Sequence, residues 1–450
     1  MNTDKNILEH ITLKPSRFFS LFKIFSISRN DCKQIQQGML KQYDWLWKTL
    51  VYGSYLDFNF LNRLKETYPT IKEIIADKKK FVVGTGIQYS SNPSYDSMHL
   101  IGKPFINSSD IDSFFICPDK ISKFDKEKVH RIRNEKHLIF KAPMLLIRKG
   151  LDLDKLIIRS AVSKQDLLFK DSLTSIAIIN STDIDYLYNI QAIFSTDVLC
   201  YYAINIFAFI GIEREQTQNY DKYRLPYLEL DVKKEIEEIE QKNLELYTKK
   251  KNGFFDDTEI EIIDNLRKVN IAQINNKVLQ KLNLSDCEKA LMDYAVNVSR
   301  FMFNINLKND RLKLFAPIEI TDTILQEYAR LYINRFSSSF NNKGKRFIVE
   351  IWYTKQIIGM FFRTIDERDF IENIKIENQQ TENEIIQFII KLGSEQITNR
   401  LFIQKDIRGF EKDYFYVFKP NEKRLWHKAI GYLDVDEFAD AILRTERDIE

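Results

Sequence analysis

The stretch "HLIFKAPMLLIRKG" (residues 137–150) decides the fold class, because it holds a short apolar run between a proline and a glycine. A run of this length between turn residues is typical of a buried β-strand. Similar runs recur on both sides of it, separated by turn clusters: "KFVVGTGIQY" (80–89), "KPFIN" (103–107), "SFFIC" (113–117), "KLIIRSAVS" (155–163) and "TSIAIIN" (174–180). Residues 80–180 are therefore predicted to form a strand-rich module of small sheets.

Helical patterns flank this module. A helix with one apolar face precedes it and ends at Pro69, and residues 183–207 follow it as one predicted helix. Residues 220–230 are predicted to leave the module as an extended strand. Residues 231–299 are charged and periodic, are broken by "NGFFDD", and predict an antiparallel helical hairpin or arm.

The last third of the chain alternates between helical and strand patterns. Its predicted elements are an amphipathic helix capped by Thr321 or Asp322 (321–340), a hairpin (344–365), a second helix (383–397), two strands (400–420) and a closing helix (434–443). This order predicts an α+β fold class. The predicted segments are a lead-in (1–40), a target-recognition-like domain (41–230), a helical arm (231–299) and a separate C-terminal α+β domain (300–450).

Composition limits the classes of function. The 450 residues are 44% hydrophobic and 29% charged, with a net charge of only +3, so any nucleic-acid surface must be a local patch. The four cysteines lie far apart, which argues against a zinc knuckle or a disulfide framework and favours reduced, cytoplasmic thiols. The most apolar run (201–212) is too short to span a bilayer, so we expect no membrane partner.

The tetrapeptide Asn92-Pro93-Ser94-Tyr95 differs at one position from Asn-Pro-Pro-Tyr, the catalytic motif of adenine-N6 methyltransferases. Such an enzyme also needs a glycine-rich turn in a doubly wound sheet to hold S-adenosylmethionine. The nearest glycine pair, Gly84-Thr85-Gly86, has no such context, and a polar turn precedes the tetrapeptide. We therefore predict a loop, no catalytic residue and no cofactor on this chain.

Other enzyme motifs are absent from the sequence. It contains neither a P-loop nor G-x-S-x-G, and its five histidines lack metal-ligand spacing, so no metal site is predicted. Glu350 and Lys355 lie on and near a predicted strand, but their spacing does not match a nuclease motif. A nuclease in the C-terminal domain is the weakest alternative.

Cations concentrate between residues 120 and 149. They are Lys120, Lys123, Lys126, Lys128, Arg131, Arg133, Lys136, Lys141, Arg148 and Lys149, against Asp125, Glu127 and Glu135. A solvated surface would explain such a run, and so would a face that follows DNA phosphates. The loop "GTGIQYSSNPSYDSMH" (84–99) favours DNA, because Asn, Gln, Ser and Tyr side chains suit base edges and phosphates.

Several further passages resemble, in the same order, the C-terminal half of class I N6-adenine DNA methyltransferases of the type IIG restriction-modification and BREX-like kind. The first are "WLWKTLVYGSYLDFNFLNRLKETYPTIKEI" (45–74) and "VVGTGIQY" (82–89). The later ones are "KPFINSSDIDSFFI" (103–116), "HLIFKAPMLLIRKG" (137–150), "YNIQAIFSTDVLCYYAINIF" (188–207), "YRLPYLELDVKKEIEEI" (223–239) and "VLQKLNLSDCEKALMDYAV" (278–296). The resemblance covers about residues 40–300, and the C-terminal domain lies outside it.

In that family this half reads the DNA sequence, while an N-terminal domain binds S-adenosylmethionine. Because the motifs of that domain are missing here, the resemblance implies a split arrangement. This chain would be the DNA specificity subunit of a restriction-modification or antiviral defence system, with DNA methylation and S-adenosylmethionine on an adenine-methyltransferase partner. Further defence proteins could join the complex. A non-catalytic scaffold that does not read DNA remains the alternative.

The candidate DNA-binding residues combine the polar loop with the basic stretch. Polar and aromatic side chains would read bases, and cationic ones would position the protein on phosphates. The set is Gln88, Tyr89, Ser91, Asn92, Tyr95, Arg131, Arg133, His137, Lys141, Arg148 and Lys164.

Overall fold

The computed structural model describes most of the chain. The described residues are 4–14, 26–27, 31–132, 137–152, 156–179, 183–211, 217–253, 257–303, 314–341, 344–378, 403–404, 407–411 and 413–447. Across these ranges, no helix combines the length and the apolar character needed to cross a bilayer.

The helices are numbered along the chain. They are α1 (Gln37–Gln42), α2 (Leu46–Tyr52), α3 (Tyr55–Thr67), α4 (Ile71–Ile74), α5 (Asp185–Phe194), α6 (Asp197–Asn205), α7 (Asn219–Lys222), α8 (Lys233–Asn252), α9 (Asp257–Lys281), α10 (Asp286–Tyr294), α11 (Arg300–Phe303), α12 (Ile324–Phe340) and α13 (Lys428–Arg447). A π-helical turn (Ala295–Ser299) joins α10 to α11.

The strands are numbered in the same way. They are β1 (Ile7–Ile11), β2 (Ser26–Ile27), β3 (Cys32–Gln36), β4 (Phe81–Thr85), β5 (Tyr95–Asp96), β6 (Pro104–Ile106), β7 (Ile111–Asp112), β8 (Phe115–Ile116), β9 (Ser122–Lys123), β10 (Lys128–Val129), β11 (Met144–Arg148), β12 (Ser160–Ser163), β13 (Leu168–Phe169), β14 (Leu173–Ile178), β15 (Lys345–Tyr353), β16 (Ile357–Asp366), β17 (Ile374–Asn378), β18 (Ile403–Gln404), β19 (Ile407–Phe410) and β20 (Tyr414–Pro420). The predicted α+β class is confirmed.

The chain folds into two compact units. Unit 1 combines Met1–Asp57 with Ser285–Glu450, and unit 2 is the continuous span Phe58–Leu284. The bounds of the two units differ from those of the four predicted segments. The predicted lead-in belongs to the same unit as the predicted C-terminal domain, and most of the predicted arm lies in unit 2. The four-segment division stays a prediction about domains.

Unit 2 is built around a four-stranded antiparallel sheet in the order β12-β11-β14-β4. A three-stranded sheet, β13-β6-β9, contributes Phe105 and Phe169 to the core that also takes Met144 and Leu146 from β11. The opposite face is covered by α5, whose Gln191 side chain donates a 3.0 Å hydrogen bond to the Ser160 carbonyl. Because both faces are covered, β11, β12 and β14 are buried along almost their whole length rather than at alternate residues.

Two predictions for unit 2 were wrong. Residues 183–207 form two helices, because Ser195 and Thr196 leave helical geometry and their hydroxyls donate to the carbonyls of Ala192 and Ile193. Residues 220–230 do not form a strand: they begin inside α7 and then contribute only an isolated bridge through Pro226.

The predicted helical hairpin is present as α8 and α9. Lys277 pairs with Glu235 at one end, and Lys249 pairs with Glu259 at the other, so the two helices run antiparallel. Gly253 ends α8 with a φ of 69°, a left-handed conformation that glycine adopts without strain.

Unit 1 holds a five-stranded sheet in the order β17-β15-β16-β20-β19, with α12 and α13 packed on one face. The predicted hairpin is confirmed as β15 and β16. The N-cap of α12 is Thr323 rather than Thr321 or Asp322. The predicted helix 383–397 lies outside the described residues.

Candidate nucleic-acid interface

The two glycines of the Gly84-Thr85-Gly86 segment lie where neighbouring atoms leave no room for a side chain. A β-carbon at Gly86 would lie 2.1 Å from the carbonyl oxygen of Phe169 and 2.7 Å from that of Lys170. One at Gly84 would lie 2.9 Å from a methyl carbon of Ile139. The glycines let the end of β4 pass closely over the neighbouring backbone, which directs the following loop.

The polar loop is fixed to the basic segment through the backbone. The Gln88 amide donates to the Arg131 carbonyl at 3.0 Å, and the Arg131 amide donates back to the Gln88 carbonyl at 3.3 Å. Further along, the Ser94 amide donates to the Val129 carbonyl at 3.1 Å, and Tyr95 pairs with the same residue. Residues 88–96 and 128–131 therefore form one small face, held at both ends of the loop.

Two tyrosines hold this loop against the core. The Tyr89 ring stacks on Phe105 with centroids 6.3 Å apart, and Tyr95 packs against the same core cluster. Burial, with the nearby Asp125 carboxylate, raises the pKa of Tyr89 to about 12, so its phenol is a hydrogen-bond donor at neutral pH. Both tyrosines are half-buried, which gives the loop a firm base and leaves part of each side chain accessible.

The tetrapeptide that resembles a methyltransferase motif lies in this loop. Ser91 and Asn92 are exposed, and the backbone N–H of Asn92 donates to the Ser90 hydroxyl at 3.1 Å. The backbone from Ser90 to Ser94 is neither helix nor strand. The prediction of a loop is confirmed for these residues.

Exposed cations lie beside the loop. The Lys128 backbone pairs with Asp96, beside the loop, and Lys170 places its ammonium 5.6 Å from the centre of the Tyr89 ring. The exposed basic residues on the segments that pack beside the loop are Lys103, Lys123, Lys126, Lys128, His130 and Arg131. Lys126 is 3.6 Å from Asp125, a solvent-exposed pair of the kind that contributes little and exchanges readily.

The structure adds one histidine to the predicted set. The Nε2 atoms of His99 and His137 are 2.9 Å apart, and their ring centroids are separated by 5.0 Å. His137 has a φ of 54° and precedes a short 3-10 turn (Leu138–Phe140). His99 closes the same polar loop but was not predicted, because nothing in the local sequence indicates its contact with His137, 38 residues away.

Three predicted contacts lie elsewhere in unit 2. Lys141 forms an ion pair with Asp166 at 2.5 Å, and Lys164 pairs with Glu240 of α8 at 3.2 Å. Arg148 ends β11, where burial and the neighbouring Arg159 lower the pKa of its guanidinium. The contacts described for these residues do not join them to the loop face. Arg133 lies outside the described residues.

Nothing in the described part of the chain gathers three or more metal-ligating side chains. All four cysteines are free thiols. Glu350, the residue of the nuclease alternative, holds the Arg363 guanidinium at 2.7 Å. The predicted acid is thus engaged in an ion pair, and Lys355 lies in the exposed turn between β15 and β16.

The face on unit 2 therefore combines exposed amide and hydroxyl groups with cations on a fixed backbone. Such a surface can bind a polyanion and read hydrogen-bonding edges. No protein-family model matches the chain, and the search among curated proteins gives no match either. The resemblance to N6-adenine methyltransferases and the function that it implies stay predictions.

Proposed function

We propose that the chain is the DNA sequence-recognition subunit of a split N6-adenine DNA methyltransferase, acting in a restriction-modification or antiviral defence system. Its loop face on unit 2 binds double-stranded DNA. A partner subunit carries S-adenosylmethionine and transfers the methyl group.

The observation that carries the proposal is the reciprocal backbone pairing of Gln88 with Arg131. It joins the two segments that sequence analysis selected independently, one for base reading and one for phosphate contact. Because the backbone is fixed while Ser91, Asn92 and Arg131 remain exposed, the side chains can meet DNA without ordering a loop first.

Arg131 and Asn92 have different expected roles. An arginine on a phosphate adds affinity to every sequence, whereas an asparagine on a base edge adds affinity to one base. Arg131→Ala should weaken binding uniformly and reduce the slope of log K against log salt by about 1. Asn92→Ala should lose about 1–3 kcal/mol of discrimination at one position of the site.

The first experiment selects bound duplexes from a randomised DNA pool with the purified chain. A consensus of several base pairs supports the proposal and gives the site for the variants. Arg335→Ala is the matched control, because Arg335 is an exposed arginine on α12 of unit 1. The control should keep the wild-type salt slope.

The other outcomes separate the alternatives. DNA recovered without a consensus would leave a basic patch and assign specificity to another subunit. No recovery would favour the non-catalytic scaffold. If a consensus is found, methyl transfer to that duplex should require a partner methyltransferase and should not occur with this chain alone.

A further inference from the structure

Strand β17 ends the sheet of unit 1. It pairs in parallel with β15, with Val349 opposite Ile374 and Tyr353 opposite Asn378. Within the described parts of the chain, no strand pairs with its outer edge. An edge of this kind presents a row of N–H and C=O groups to which another strand can bind.

The direction of the main-chain groups follows from one hydrogen bond. The Asn373 carbonyl accepts from the Val349 amide at 2.8 Å, so Asn373 directs its polar groups toward β15. Residues two apart on a strand share a direction, and their neighbours face the other way. The outward groups therefore belong to Ile374, Ile376 and Asn378.

This edge is complementary to itself. In an antiparallel pairing with a twofold axis at Ile376, that residue meets its own copy, and Ile374 meets Asn378 of the second copy. All of these residues direct their main-chain groups outward, so they form the hydrogen-bonded pairs. Lys375 and Glu377 then form the non-hydrogen-bonded pairs, in which cross-strand side chains are closest.

The side chains at those positions carry opposite charges. In one copy Lys375 already forms an ion pair with Glu377, and the two side chains are 55% and 31% exposed. Lys375 also lies opposite Glu350 of β15, whose carboxylate holds Arg363 of β16. The charges thus alternate across the sheet, and Glu377 of the second copy continues the row beyond Lys375.

The surroundings of the edge are open and partly apolar. A groove of about 490 Å³ runs between α12 and β17, and Ile374 and Ile376 line it half-buried. Ile371, just before the strand, is 91% exposed. A second copy on this edge would remove part of this apolar surface from water.

We propose that two copies of this chain associate through antiparallel pairing of their β17 strands about a twofold axis at Ile376, which joins two five-stranded sheets into one. The interface is isologous, as expected for a twofold dimer.

Charge exchange tests this register. Wild-type protein should show a monomer–dimer equilibrium in sedimentation experiments. In a dimer of Lys375→Glu, two carboxylates face each other at both symmetry-related pairs, which should weaken dimerisation about tenfold. Glu377→Lys places two ammonium groups at the same pairs and should have the same effect. An equimolar mixture of the two variants restores opposite charges at both pairs, so heterodimers should form at least as tightly as wild type.

Dimerisation that returns in the mixture would show that charge repulsion, and not a damaged fold, had weakened each variant. Each protein has the same sequence and fold in the mixture as it has alone. In the wild type, the amides of Ile374 and Ile376 should exchange more slowly with deuterium as protein concentration rises. A wild type that remains monomeric up to its solubility limit would overturn the proposal. So would unchanged dimerisation of Lys375→Glu, or a mixture that stays monomeric.

Discussion

Replacing Asp434 by asparagine should destabilise unit 1 strongly. The side chain is fully buried in α13, and its carboxylate accepts from the Lys419 ammonium, from the Arg408 guanidinium at 2.9 Å and from the Tyr328 hydroxyl at 2.5 Å. Lys419 is itself buried. Asp434→Asn keeps the shape and removes the negative charge, so two cations lose their shared counter-charge.

The magnitude follows from which charges remain uncompensated. Breaking a buried ion pair from one side costs about 3–5 kcal/mol, a large share of the roughly 5–15 kcal/mol by which proteins are stable. In a Lys419→Met background the cost should be lower by about 1–3 kcal/mol, because Arg408 still pairs with Glu437 at 2.6 Å. The two substitutions should therefore be non-additive.

Tryptophan fluorescence isolates the relevant unit. All four tryptophans lie in unit 1, and the buried Trp426 contacts Tyr328 edge-on at 5.1 Å. Urea unfolding followed by fluorescence should show a lower midpoint for Asp434→Asn with an unchanged m value. A loss below about 1 kcal/mol, or full additivity with Lys419→Met, would refute the buried-charge argument.

The stability lost in Asp434→Asn should also depend on pH. Burial alone would raise the pKa of Asp434, but Lys419 and Arg408 outweigh burial and lower it. A lowered pKa contributes stability above the unfolded value of about 3.9 and loses it as pH falls through the folded value. The difference between wild type and Asp434→Asn should therefore shrink below about pH 4.

Further predictions concern other packing features. Gly86→Ala should destabilise unit 2 by about 1–3 kcal/mol in circular dichroism melts, because its β-carbon would meet the Phe169 backbone, while Gly150→Ala, with no atom within 4 Å, should be neutral. Ser285→Ala removes the capping box of α10 and should cost unit 1 about 1 kcal/mol by fluorescence. Burial and a neighbouring lysine lower the pKa of Lys222 to about 7, so Lys222→Met should raise the melting temperature, and more below neutral pH than in mild alkali.

Local pattern predicted the elements of this fold well. The run at 137–150 indicated a buried strand, and β11 is buried from Met144 to Ile147. The capping sequence at Ser285 and Glu288 forms the reciprocal hydrogen bonds that its spacing indicates. These signals act within a few residues, where side-chain spacing determines local structure.

Long-range pairings were not predictable in this way. Nothing near residue 57 or residue 285 indicates that the ends of the chain share a unit. The break at Ser195 and Thr196 was also missed, because their side-chain hydrogen bonds to the preceding carbonyls compete with a helix that the apolar pattern would continue.

The kinds of residue on the candidate face could be predicted from the sequence. Which of the predicted cations lie on that face could not. Lys141, Lys164 and Arg131 were predicted as DNA contacts for the same reason, their charge. The structure distinguishes them by what each cation meets: Lys141 and Lys164 have carboxylate partners within unit 2, whereas Arg131 is exposed beside the polar loop. Because these ion pairs are solvent-exposed and contribute little, position decides: the Arg131 backbone pairs with Gln88 of the polar loop, so Arg131 should contribute more to DNA affinity than either lysine.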